Sequence, residues 1–232
     1  MDQLLVALDV DNAVHALELS TRLKGRVGGI KIGSTLFTAE GPALVRRFVE
    51  QGHRVFLDLK FHDIPHQVAG AVASATKLGV WMMTVHASGG SEMMTAARRA
   101  AADTAGARNI PVPLIVAVTA LTSLSDETLL DIGVLRSMDR HVEELAALAQ
   151  KSGLDGVVAS PQELRILRPL FPSLTIVTPG IRAASSKADD QSRTLSAAEA
   201  LAAGASYLVV GRPIVAAADP LGAAEEIAKS CA

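Results

Sequence analysis

Val55-Phe56-Leu57-Asp58-Leu59-Lys60-Phe61-His62-Asp63-Ile64-Pro65 reads as an apolar strand that ends in charge. Strand side chains alternate between faces, so Asp58 and Lys60 leave one face while Leu57, Leu59 and Phe61 leave the other. One face carries chemistry and the other packs. A carboxylate beside an ammonium at a strand end, with Asp63 three residues further on, is a dense cluster, and buried charges are costly unless paired. Two readings stand at this level. One is a structural ion pair, with Asp63 capping a helix that starts at Pro65. The other is a functional charge cluster.

Around this stretch, short apolar runs alternate with longer segments of helical period. The runs are Leu4 to Leu8, Gly28 to Ile32, Val55 to Leu59, Trp81 to Val85, Val112 to Val116, Gly156 to Val158, Thr175 to Val177 and Tyr207 to Val210. Between them lie sets such as Leu44, Val45, Phe48 and Val49, or Val142, Leu145, Ala146 and Ala149, which share one helix face. Eight strand–helix units in 232 residues predict the α/β class and a single-domain (β/α)8 TIM barrel over residues 1–232. A doubly wound open sheet normally uses fewer strands. Hydrophobic residues make up 49% of the chain and aromatics only 3%, so the core must be Ala, Val, Leu and Ile, the usual filling of a parallel sheet covered by helices. Gly25, Gly52, Gly79, Gly106, Gly153 and Gly204 each fall shortly before a predicted strand, where helix C-caps favour Gly.

The net charge is −2, with no run of basic residues, which argues against a nucleic-acid partner. Met1 to Val10 lack a basic n-region and reach Asp9 early, and no apolar run approaches the ~18 residues of a membrane span. A soluble, cytoplasmic protein with no membrane contact is expected. The single cysteine, Cys231, can form neither an intramolecular disulfide nor a cysteine-based zinc site.

In a barrel of this kind the C-terminal strand ends line the active site. Asp9 ends the first run, Lys31 the second, Asp58 and Lys60 the third, and His86 the fourth. The fifth leads to Thr119 and Thr122, the seventh to Pro179-Gly180-Ile181-Arg182, and the eighth to Gly211-Arg212-Pro213. Polar and charged groups converge on one mouth. After the last two strands, a Gly lets the backbone approach an anion and Arg182 or Arg212 supplies a charge-assisted grip, which suits phosphate. The polar connection from Arg182 to Thr194, with Ser185, Ser186 and Gln191, is long enough to serve as a lid. His62 and His66 are four apart near Asp58, but no third nitrogen or sulfur ligand is evident, so no metal site is assigned. His86 reads equally as a satisfied barrel histidine or a ligand contact, and His15, His53 and His141 as surface residues.

Leu4-Leu5-Val6-Ala7-Leu8-Asp9, Gly29-Ile30-Lys31-Ile32-Gly33, Phe56 through Pro65, Leu121-Thr122-Ser123, Pro179-Gly180-Ile181-Arg182 and Val210-Gly211-Arg212-Pro213 together resemble the orotidine 5′-phosphate decarboxylase family, of the bacterial type. The resemblance runs from first strand to last, and its most specific element is the Asp-x-Lys-x-x-Asp-Ile-Pro core with Lys31 upstream. It implies a barrel that dimerises mouth to mouth and decarboxylates orotidine 5′-monophosphate to UMP, the last step of pyrimidine nucleotide biosynthesis, without metal or cofactor. It implies a catalytic tetrad of Lys31, Asp58, Lys60 and Asp63, with Asp63 reaching into the partner subunit's site. By the same resemblance Asp9 and Lys31 hold the ribose, and Thr122 holds the pyrimidine edge. Arg182, Gln191, Gly211 and Arg212 hold the phosphate, and Ile64, Gln67 and Pro179 complete the substrate site. One departure is visible, since His66-Gln67 stand where the family usually shows Asn-Thr.

Three alternatives bound this expectation. Mg-dependent sugar-phosphate enzymes of the same suprafamily, 3-keto-L-gulonate 6-phosphate decarboxylase and hexulose-phosphate synthase, share the Asp-x-Lys-x-x-Asp segment but carry a carboxylate where Lys31 stands; an ammonium there disfavours a divalent cation. A Schiff-base aldolase needs a neutral, desolvated lysine, against which two flanking carboxylates argue. The third is a barrel that binds a phosphate ligand without turning it over.

Overall fold

The computed structural model of the protein describes residues 1–182 and 195–231. Its frame is a closed barrel of eight parallel strands in the order β1-β10-β7-β6-β5-β4-β3-β2. These are β1 (Leu4–Ala7), β2 (Gly29–Gly33), β3 (Val55–Phe61), β4 (Met82–His86), β5 (Leu114–Val118), β6 (Gly156–Val158), β7 (Thr175–Thr178) and β10 (Tyr207–Val210). Two-residue strands β8 (Ile181–Arg182) and β9 (Leu195–Ser196) pair in parallel outside the barrel. Helices α1 (Ala13–Leu23), α2 (Ser34–Glu50), α3 (Pro65–Lys77), α4 (Gly90–Arg108), α5 (Asp126–Asp131), α6 (Met138–Lys151), α7 (Leu164–Leu170), α8 (Ala197–Ala202), α9 (Arg212–Val215) and α10 (Pro220–Lys229) fill the connections. The (β/α)8 expectation holds, and each predicted run falls on a barrel strand.

The largest boundary shift has a simple cause. The fifth run, expected at Val112 to Val116, pairs only from Leu114 to Val118, because Pro111 and Pro113 have no N–H to give to a ladder. Five of the six expected cap glycines have positive φ, namely Gly25, Gly52, Gly79, Gly153 and Gly204. Gly106 does not: α4 runs through it, and Asn109, with φ 51°, takes the left-handed cap.

Alternation along each strand divides the core in two. Leu4, Val6, Leu8, Ile30, Ile32, Val55 and Leu57 face the helices and pack with Ala16, Leu19, Val45, Phe48, Val68 and Val72. Leu5, Ala7, Phe56, Met82, Val116, Val177 and Val209 form a second cluster that fills the barrel. Below it, at the N-terminal strand ends, the Arg54 guanidinium lies 3.8 Å above the Trp81 ring, and Tyr207 meets that ring edge-on at 5.1 Å. This cation–π stack plugs the lower end with side chains that need little solvent. The upper end stays open for polar groups.

The loops leading into β7 and β10 are tied by one side chain. Arg168 on α7 donates to the carbonyls of Gly204, Phe171, Pro172 and Leu174 and to Ser206 Oγ, at 2.6–3.3 Å. Arg168→Ala leaves several of these acceptors unpaired and is expected to cost about 2–4 kcal/mol of stability, read as a lower urea midpoint. Arg168→Lys recovers only part of that loss, because one ammonium cannot span the fork.

Candidate active site

Four charged residues meet at the C-terminal mouth, on the ends of three adjacent strands. Asp9 lies two residues beyond β1, Lys31 is on β2, and Asp58 and Lys60 are on β3. Lys31 Nζ is 3.2 Å from Asp9 Oδ1 and 3.6 Å from Asp58 Oδ2, and Lys60 Nζ donates to Asp58 Oδ2 at 2.9 Å. The charges alternate in sign along the chain Asp9–Lys31–Asp58–Lys60. Asp58 and Lys31 are buried, whereas the Asp9 side chain is 54% exposed and that of Lys60 35%.

Two glycines make room for this arrangement. A Cβ on Gly33 would stand 3.1 Å from Lys31 Nζ and 3.4 Å from Asp9 Oδ1, and one on Gly211 would stand 3.3 Å from Asp9 Oδ2. Side chains at these positions would press on the charged atoms themselves.

The same-face expectation for Asp58 and Lys60 is met by a backbone that the expectation did not contain. Lys60 has φ 53°, in the left-handed region. Leu57 pairs with Met83 and Phe61 with Val85, so β3 spends four steps where β4 spends two. The slip removes the Lys60 N–H from the ladder, and Thr84 Oγ1 accepts it at 2.8 Å while donating to Asp58 Oδ1 at 3.0 Å. Thr84 is fully buried. Sequence reasoning missed it, although a hydroxyl inside the run Met82-Met83-Thr84-Val85-His86, in phase with His86, was a usable signal.

The other expected residues fall as follows. Asp63 is exposed and does not touch Lys60 within the chain; its Oδ1 accepts from the Ile64 N–H at 2.7 Å. It is not the cap of α3 either, since the N-cap is Ile64 with Pro65 following. Ile64, His66 and Gln67 are exposed at the start of α3. Thr122 is half-buried in the turn after β5, while the Thr119 hydroxyl is used on the Val158 carbonyl. Pro179 and Gly180 follow β7, and Gly211 and Arg212 follow β10, with Arg212 opening α9. The Arg182 backbone lies in β8; its side chain, Gln191, and the lid segment with Ser185 and Ser186 lie outside the described residues.

Histidine placement needs two corrections. His141 is buried on α6, one residue before Val142 on the apolar stripe, and burial followed by the Arg136 charge holds its pKa below the ordinary value. His53 is half-buried, edge-on to Phe48 at 5.9 Å. The His62 and His86 rings lie against each other, tilted by 33° with centroids 5.2 Å apart. Burial, then the His62 and Lys60 charges, lowers the His86 pKa against the opposing pull of Asp58. Among the described residues, no three His, Cys, Asp or Glu side chains gather as a metal site, and no helix is long and apolar enough to cross a membrane.

A closed parallel barrel whose C-terminal mouth carries an alternating lysine–carboxylate chain beside glycine-bounded strand ends has the form of a TIM-barrel enzyme, with its polar groups gathered where such barrels place their active sites. The family described as orotidine 5′-phosphate decarboxylase / HUMPS matches residues 2–227. An orotidine 5′-phosphate decarboxylase from Moorella thermoacetica is 51% identical over 98% of this chain and 91% of its own. Another from Syntrophotalea carbinolica is 48% identical over 99% and 95%. The crystal structure of orotidine 5′-phosphate decarboxylase from Lactobacillus acidophilus superposes with a TM-score of 0.87 at 37% identity, covering 100% of this chain and 99% of that one. The chain belongs to the orotidine 5′-phosphate decarboxylase / HUMPS family, and its enzyme class is carboxy-lyase.

The electrostatics of Asp58 give a pH test. Burial alone would raise its pKa, but the Lys31 and Lys60 charges and the hydrogen bonds from Lys60 and Thr84 outweigh burial and hold it below 3.8. A depressed folded pKa contributes stability that is fully present above the unfolded value and lost as pH falls through the folded one. Asp58→Asn is therefore expected to be less stable at pH 7 by about 2 kcal/mol, Lys60 being partly solvated. In urea unfolding at stepped pH, the gap to the parent should close below pH 3.8.

Proposed function

We propose that the protein decarboxylates orotidine 5′-monophosphate to UMP, with Lys60 stabilising and then protonating the C6 carbanion, and that residues 1–232 act as one catalytic domain. The observation that carries this reading is the Lys60 ammonium held 2.9 Å from Asp58 Oδ2, with Lys31 3.6 Å from the same oxygen. When the C6–carboxylate bond breaks, CO2 departs and the electron pair stays in an sp2 orbital at C6, which no carbonyl can delocalise directly. Stabilisation must then be electrostatic, from a charge already in place. The lysine N–H supplies that charge and then its proton to C6, leaving a neutral amine that solvent reprotonates.

Asp58 keeps Lys60 protonated and aimed, and Lys31 with Asp9 offers a donor and an acceptor to the ribose hydroxyls. Thr122 faces the pyrimidine edge. Pro179, Gly211 and Arg212, with Arg182 and Gln191, form the phosphate end, and Ile64 and Gln67 border the substrate. Phosphate binding far from C6 supplies energy for ordering the site. This scheme assigns no step to a metal or cofactor, and the ammonium of Lys31 beside Asp58 disfavours the Mg-dependent alternative.

The functional unit is a cytoplasmic homodimer in which Asp63 enters the partner's mouth. Two features support this: Asp63 is exposed and without an ion pair of its own among the described residues, and Ile64 and Leu135, on connections at the same mouth, are 64% and 88% exposed. Exposed apolar side chains beside a site commonly mark an interface.

Turnover is read as loss of the ultraviolet absorbance of orotidine 5′-monophosphate in excess chelator, and rapid conversion is expected. No conversion with or without Mg would overturn the reading. Lys60→Ala should lower kcat by at least about 10⁴-fold with nucleotide binding retained, the loss of both charge and proton donor. Asp63→Ala should be severely impaired alone and partly rescued on mixing with Lys60→Ala, since one mouth of each hybrid regains both groups; absent rescue would sink the shared site.

A further inference from the structure

We propose that Thr84 is a positioning residue for the reaction, its hydroxyl fixing the Lys60 backbone and the Asp58 carboxylate in one relation so that the ammonium is presented at a single point of the mouth. The inference rests on the role given to Lys60 above.

The geometry is a closed ring. The Lys60 N–H donates to Thr84 Oγ1 at 2.8 Å, the Thr84 hydroxyl donates to Asp58 Oδ1 at 3.0 Å, and Asp58 Oδ2 accepts from Lys60 Nζ at 2.9 Å. A hydroxyl carries one proton, so accepting the amide leaves that proton for the carboxylate. Both ends of one lysine, backbone and head, are thereby referenced to one residue on the neighbouring strand.

The ring also answers a structural question. Lys60 adopts φ 53°, a conformation unfavourable for a residue with a Cβ, and such backbones persist only where the surroundings over-determine them. The slip in β3 takes its amide out of the ladder, and a buried amide needs a partner. Thr84 is the partner, and it is fully buried, so water does not take its place. Valine has the same shape and no hydroxyl; in its place the Lys60 N–H and Asp58 Oδ1 would both lose a hydrogen bond while the packing stays.

The charged and titratable groups around the ring are Asp58, Lys60, Lys31 at 3.6 Å from Asp58 Oδ2, and His86, with the His62 ring against that of His86. Loss of the Thr84 bond removes one of the influences that keep Asp58 acidic, so its ionisation must shift upward. A residue that merely fills space would not move that titration.

The test compares the parent, Thr84→Val and Thr84→Ser in orotidine 5′-monophosphate turnover, with the Asp58 carboxyl followed by 13C NMR in the ligand-free proteins. Thr84→Val should fold, lose about 10²-fold in kcat with little change in KM, as a displaced reacting group does, and show the acid limb of kcat and the Asp58 titration at higher pH. Thr84→Ser should recover most of the turnover and the parental titration. Should the valine variant fail to fold, Thr84→Ala carries the same expectations. Turnover and an Asp58 titration like the parent's in Thr84→Val, or an equal loss in Thr84→Ser, would overturn the proposal. A parent without turnover would end the decarboxylase reading instead, and the Asp58 titration would then decide the role of Thr84 by itself.

Discussion

A carboxylate buried between two ammonium groups is the interaction on which the mouth of this barrel depends. Lys31 and Lys60 both reach Asp58 Oδ2, at 3.6 and 2.9 Å, and without the carboxylate they would repel in a site where neighbouring strands exclude much of the water. Coulomb energies at such distances are several-fold larger there than in bulk solvent. The cluster is therefore stable only as a set. Asp9, on the more exposed side of Lys31, makes the set neutral. This neutrality lets the strand ends hold four charges in a small volume while the apolar layer of Leu5, Phe56, Met82 and Val209 lies directly beneath.

The two ends of the barrel solve different problems. At the lower end Arg54, Trp81 and Tyr207 satisfy one another and close the interior, and Arg168 gathers the carbonyls of the incoming loops. These contacts depend little on the pH of the medium. At the upper end Asp9, Lys31, Asp58 and Lys60 hold one another through charges whose protonation matters, and two glycines keep side chains away from the charged atoms. Contacts that depend on ionisation are thus gathered at one end of the barrel axis, where the strained lysine backbone lies, and those that close the frame at the other.

Hydrophobic periodicity made the barrel legible, because a period of two or near 3.6 is imposed by the backbone and survives any detail of packing. The charged strand ends were legible for the same reason, in that Asp9, Lys31 and Asp58 follow from counting residues along each run. Boundaries were less so: the start of β5 was set by Pro113, a local rule that periodicity ignores. His141 was misjudged by its polarity, although Met138, His141, Val142 and Ala146 stand at helical spacing on one buried stripe. The Lys60 conformation had no sequence signal of its own. A positive φ announces itself through glycine or asparagine, and here it is secured by a hydroxyl 24 positions away, a contact that exists only once β3 and β4 are paired.

The ammonium of Lys60 has three N–H groups and, among the described residues, one carboxylate partner, Asp58. With its side chain 35% exposed, the ammonium is open to water, and water is a poor medium for stabilising a carbanion because it must reorganise as charge develops. Asp63 is close in sequence yet engaged with the Ile64 amide, so among the described residues it does not complete the shell within one chain. On the proposed dimer, a second surface would cover Ile64 and displace that water in the same step that brings a partner carboxylate to the lysine. Desolvation strengthens the remaining charge interactions, and the added carboxylate keeps the lysine protonated as the water leaves. Assembly would then be part of the chemistry, since neither covering the site without a second carboxylate nor supplying one in open water would leave Lys60 both charged and dry.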